Sequence, residues 1–187
     1  MALPDTPITI IQFDDTVATA LSVANPNLPL NAENATLWGV QTGGLAALRP
    51  LMPDTAITCC AILPRHEATL RLLCLPSQDP KELESMVHLA ATDLVPYPIE
   101  EMQCMHQVIR ILPGGESVVL VVLVQRSVIE AHLNTFAMHN LDIVEILLST
   151  ACLVAKASLG TGGHVALLHV EPKAMELVVI QDGALQF

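Results

Sequence analysis

Two adjacent carboxylates, Asp14 and Asp15, are the first residues in this chain that could carry chemistry. Neighbouring carboxylates can bind a divalent cation through oxygen ligands, but they are equally common in tight turns, where their side chains accept local hydrogen bonds. The two aspartates separate two apolar segments, residues 8–13 and 17–24, which read as the strands of a hairpin. We therefore expect them to be turn residues rather than metal ligands.

The histidines and cysteines do not form a metal motif. No two of the seven histidines have an HxH or HxxxH spacing, and the five cysteines contain no CxxC pair. We expect buried, reduced thiols, with the adjacent Cys59 and Cys60 pointing to opposite faces of a strand. Gly162 and Gly163 lack the context of a phosphate-binding loop and indicate a hinge. These residues predict no metal site and no activated nucleophile.

Composition and charge exclude several classes of function. The formal net charge is −11, from 19 acidic against 8 basic residues, with no cluster of lysine and arginine. Such a chain is unsuited to nucleic acid or to an anionic lipid surface. The longest apolar run, Val118–Val124, is too short for a membrane span, and the N-terminus has no signal-peptide pattern. We expect a cytoplasmic protein without direct membrane insertion.

The strongest local signal is a helix over residues 80–94. Asp79 can cap its first turn, Pro80 suits the first helical position, and Glu82 has the spacing of a capping box. Prolines at positions 96 and 98 stop the helix.

The remaining apolar segments predict mainly strands. We expect strands over residues 8–13, 17–24, 35–38, 56–63, 68–75, 102–112, 118–125, 142–146, 164–170, 175–181 and 184–187. We expect helices near residues 45–50, from a Ser127 cap to about His139, and over residues 150–159. The segment 68–75 is expected to pair with 56–63. Asn140 is expected to adopt a left-handed C-cap conformation.

The order of these features resembles the PilM family of actin-like proteins. The similarity is carried by a Leu75-Pro76 strand end, a helix with Glu82 and Glu84, a Pro96-Tyr97-Pro98 turn followed by Glu100-Glu101, the apolar strand Val118–Val124, the strand Leu141–Val144, and a final Asp182-Gly183-Ala184-Leu185-x-Phe187. The resemblance implies a mixed α/β fold, in which an actin-like or RNase H-like lobe carries an inserted α+β subdomain.

The resemblance also implies a division of the chain into four segments. Residues 1–76 are the first part of the first actin-like subdomain, and residues 77–140 are the inserted small subdomain. Residues 141–160 return to the first subdomain. Residues 161–187 are the first strands of a second lobe, truncated at its start, so we expect a fragment of a longer protein.

Actin-like ATPases hold phosphate on two turns that each contain Asp-x-Gly, because a glycine lets backbone N–H groups approach the phosphate oxygens. The resemblance places the first turn on Gln12, Phe13 and Asp14 and the second on His169, Val170 and Glu171. An acid stands at each glycine position, and a proline follows the second turn. The resemblance thus implies a degenerate phosphate site, no ATP or magnesium cofactor, and no enzyme activity.

The function implied by the resemblance is a scaffold of a type IV pilus-like or type II secretion-like assembly platform. It would bind the N-terminal tail of a PilN-like inner-membrane protein, couple it to an assembly ATPase, and form homo-oligomers in some settings. The residues that would bind the partner are unknown. One alternative is a GspL-like cytoplasmic domain that recruits the secretion ATPase. The other is an active actin-like ATP-binding protein, in which Asp14 would serve magnesium and Lys173 would meet phosphate.

Overall fold

The computed structural model describes residues 7–13, 17–24, 33–40, 42–53, 57–158, 163–170, 175–181 and 184–186. Several residues singled out in the sequence lie outside these ranges, namely Asp14, Asp15, Gly162, Glu171, Lys173, Asp182 and Gly183. The predictions that rest on those positions stay predictions.

Eleven strands and four helices are present in this part of the chain. The strands are β1 (Ile8–Phe13), β2 (Ala18–Val23), β3 (Ala35–Val40), β4 (Ile57–Leu63), β5 (Ala68–Leu75), β6 (Met102–Ile111), β7 (Ser117–Gln125), β8 (Leu141–Leu148), β9 (His164–Val170), β10 (Met175–Gln181) and β11 (Ala184–Gln186). The helices are α1 (Gly44–Leu48), α2 (Pro80–Ala91), α3 (Arg126–Met138) and α4 (Ser149–Ser158). Within the described ranges, none of these helices has the length and hydropathy to cross a membrane.

The chain divides into two compact units, which are described separately. The first comprises Met1–Pro64 and Glu130–Leu148, and the second comprises Arg65–Ile129 and Ser149–Phe187. The four-segment division drawn from the sequence has different boundaries and stays a prediction.

The first unit is built on a five-stranded sheet with the order β3-β2-β1-β4-β8. β1 is antiparallel to β2 and parallel to β4, and β4 is parallel to β8. Because side chains alternate along a strand, Cys59 and Cys60 enter two different apolar clusters, and both are buried as expected. The larger cluster, on one face of the sheet, includes Ile11, Leu48 and Phe136.

The second unit contains two three-stranded sheets. In the first, with the order β5-β7-β6, α2 packs its apolar stripe on the middle strand, so that Leu83 and Val87 meet Val119 and Val121. In the second, with the order β11-β10-β9, α4 packs on β10 and β9. The β6–β7 hairpin that the sequence predicts is present, with Gly115 in its turn at a positive φ of 87°.

The N-terminus of α2 is capped largely as expected. The Asp79 carboxylate accepts hydrogen bonds from the backbone N–H groups of Lys81 and Glu82 at 2.9 and 3.1 Å. Glu82 differs from the capping-box prediction, because its carboxylate accepts from the Ser77 hydroxyl at 2.5 Å, and that hydroxyl accepts from the Asp79 N–H. The Ser77 hydroxyl therefore connects the backbone N–H of Asp79 to the carboxylate of Glu82.

Three further expectations needed correction. β5 pairs with β7 and not with β4, because β4 is central to the other sheet and both its edges are already paired. Helix α3 begins at Arg126, directly after β7, so Ser127 lies inside the helix and is not its N-cap. Helix α2 ends at Ala91, before the predicted residue 94. The left-handed Asn140, with φ 55°, is confirmed.

Candidate functional site

The sequence places the first degenerate phosphate turn at the end of β1. This strand lies in the middle of its sheet, where Gln12 is opposite Thr19 of β2 and Ile62 of β4. Gln12 is half-buried, and Asp14 lies outside the described residues. The strand thus has an amide at the position where the resemblance expects the aspartate of an actin-like ATPase, and that equivalence stays a prediction.

Phe13, the middle residue of the same turn, is partly buried and packs against the hydrophobic core. Its ring packs edge-on against His132, with 5.1 Å between ring centroids and 65° between planes. It packs in the same way against Phe136, at 5.3 Å and 69°. Both partners belong to α3, which the sequence analysis did not connect with this position. The end of β1 is held by aromatic packing on a helix.

The second degenerate turn is placed at the end of β9. His169 is half-buried and lies opposite Glu176 in the β9–β10 register, whereas Val170 is exposed and lies opposite Met175. Glu171 lies outside the described residues. The described end of this hairpin therefore has an exposed aliphatic residue and, across from His169, an acidic one.

Glu176, which the sequence did not single out, makes two side-chain hydrogen bonds near this hairpin. Its carboxylate accepts a hydrogen bond from the Ser149 hydroxyl at 3.1 Å and another from the Thr150 hydroxyl. Both hydroxyl residues are buried and form the first turn of α4. A carboxylate is favourable at this place, since the N-terminus of a helix carries partial positive charge. The Glu176 side chain thus places a negative charge at the N-terminus of α4.

Arg65 adds a positive charge to the same group. Burial lowers the pKa of its guanidinium from the ordinary value, while the Glu176 carboxylate opposes this shift and Arg71 adds to it. Its Nη1 donates to the Ala68 carbonyl at 2.5 Å. Glu176 is therefore hydrogen-bonded to the start of α4 and also acts electrostatically on Arg65.

Cys59 and Cys60 are buried as expected, whereas Cys104 and Cys152 are partly buried and Cys74 is exposed, so the expectation of buried thiols was wrong for Cys74. Burial raises the pKa of Cys59 to about 12, with smaller contributions from Cys60 and Asp142. Burial also raises the pKa of Cys104 and of Cys152. In the described part of the chain, no group of three histidine, cysteine, aspartate or glutamate residues could hold a metal ion.

A second feature missed from the sequence is an exposed apolar face on the β9–β10 hairpin. Leu168, Val170, Met175, Leu177 and Val179 all point to this face. The signal was present in the sequence, because residues 165–168 and 177–180 are apolar without the alternation expected of a strand with one face in water.

No protein-family model and no curated protein matches the sequence. A chain of the PilM-PilN type IV pilus biogenesis complex matches with a TM-score of 0.78 and 16% identity. The match covers 98% of this chain, which spans 61% of the length of that one.

The chain has an actin-like fold. The cytoplasmic domain of EpsL, an inner-membrane component of the type II secretion system of Vibrio cholerae, matches with a TM-score of 0.67 and 15% identity, over 96% of this chain and 69% of that domain. A protein of unknown function with an actin-like ATPase fold from Bacteroides thetaiotaomicron VPI-5482 matches with a TM-score of 0.55 and 10% identity, over 98% of this chain and 68% of that one.

The actin-like fold of these matches confirms the mixed α/β fold class predicted from the sequence. At these identities the likeness concerns the fold alone, so the partner, the cofactor and the activity are treated below as proposals.

Proposed function

We propose that this PilM-like chain is a non-catalytic adaptor of a type IV pilus-like or type II secretion-like assembly platform. It works in the cytoplasm, next to the inner membrane, and binds the N-terminal tail of a PilN-like membrane protein. The observation that carries the proposal is the match of almost the whole chain to a chain from a PilM-PilN complex.

Two contacts support a role without nucleotide. Phe13 is packed against α3, so the end of β1 is anchored by its core rather than shaped around a phosphate. Glu176 supplies the anion at the start of α4, close in sequence to the second degenerate turn. The acidic residues in both turns, Asp14 and Glu171, add repulsion toward a triphosphate.

The similarity to the EpsL cytoplasmic domain supports a second candidate. A GspL-like domain would be part of a membrane-anchored polypeptide and would recruit the secretion ATPase. In either case the assembly ATPase is a proposed partner, and self-association is a proposed property.

The proposal is tested by isothermal titration calorimetry with a synthetic peptide of the N-terminal cytoplasmic tail of the PilN-type protein from the same genome. We expect saturable binding in the micromolar range, roughly −8 kcal/mol. A scrambled peptide of the same composition is the control, because it keeps the charge and loses the sequence. Equal binding of both peptides, or no binding of the native tail, would contradict the adaptor function.

A further inference from the structure

We draw no further inference here: the strongest candidate, the exposed apolar face of the β9–β10 hairpin with Leu168, Met175 and Leu177, carries no proposal, because the chain spans 61% of the length of the PilM-PilN complex chain that it matches and nothing in the structure shows what covers that face.

Discussion

The ring of Phe13 meets the ring of Phe136 edge-on, with 5.3 Å between their centroids and 69° between their planes. This contact joins the last residue of β1 to the last turn of α3, although the two residues are 123 positions apart along the chain. It places a partly buried aromatic residue where the resemblance expects the middle of the first phosphate turn. The contact is therefore expected to stabilise the first unit, and it supports the proposal that this turn holds no nucleotide.

A double-mutant cycle tests the contact between the two rings. F136L and F13L are each expected to lower the free energy of unfolding, and the pair to show a coupling of about 0.5–1.5 kcal/mol, as edge-on aromatic pairs do. Urea unfolding followed by the fluorescence of Trp38, the one tryptophan in the sequence, reports on this unit, since Trp38 packs against the same core.

The control for this cycle is L133A, a change on the same helix at a residue that is 41% exposed. Its effect should be much smaller, because an exposed side chain leaves no cavity when it is shortened. Additive effects of F13L and F136L would show that the rings do not stabilise each other.

The carboxylate of Glu176 is expected to stabilise the start of α4. E176A should lower the free energy of unfolding by about 1–3 kcal/mol, because it leaves two buried hydroxyls without their acceptor. E176Q keeps one oxygen acceptor and should cost less. Hydrogen exchange followed by mass spectrometry should show faster exchange in the peptide that contains Ser149 and Thr150.

The matched control is E84A, which removes an exposed glutamate from α2. It should leave exchange at the start of α4 unchanged. If E176A and E84A behave alike, Glu176 has no part in holding α4.

The thiols should differ in reactivity according to their burial. Cys74 is exposed, whereas Cys59 is buried and has its pKa raised to about 12. At a pH of about 8, a group with this pKa is a thiolate in roughly one molecule in ten thousand, and the thiolate is the reactive form. We expect Ellman's reagent to modify Cys74 quickly in the native protein and Cys59 only after unfolding.

The variant C74S should lose the fast phase of this reaction, while C59S keeps it. A fast phase that survives in C74S would show that another thiol is accessible.

The raised pKa of Cys59 also makes the stability of the folded chain depend on pH. The folded chain keeps the Cys59 proton where the unfolded chain, with an ordinary value of 9.0, has lost it, so this contribution falls as pH rises from about 9 to 12.

The elements of the fold could be predicted where the signal is local. Helix α2 was found from Asp79 and Pro80, because a cap and a first-turn proline act within a few residues. The left-handed conformation of Asn140 was predicted for the same reason. The pairing of β5 with β7 was not predicted from the sequence. Its alternation fits several partners equally well, and the choice of β7 depends on contacts about 50 residues away in sequence, which periodicity cannot show.

The candidate site shows the same division between local and long-range information. That Gln12 and Asp14 depart from Asp-x-Gly can be read directly from the chain. That Phe13 packs on His132 and Phe136 requires the three-dimensional fold. The contacts of Glu176 with Ser149 and Thr150 could not be foreseen either. They join residues of a strand and a helix that are 26 and 27 positions apart in the sequence, and no local pattern indicates such a contact.

The absence of a nucleotide site is the central claim, and a thermal-shift titration of the protein with Mg-ATP tests it most directly. The account predicts that the melting temperature stays constant as Mg-ATP increases, and that Mg-ATP leaves the affinity for the PilN-type tail peptide unchanged. A real site would stabilise the protein by ~2.7 kcal/mol when nucleotide is at 100 times its dissociation constant. A saturable rise in melting temperature of that kind would contradict the account.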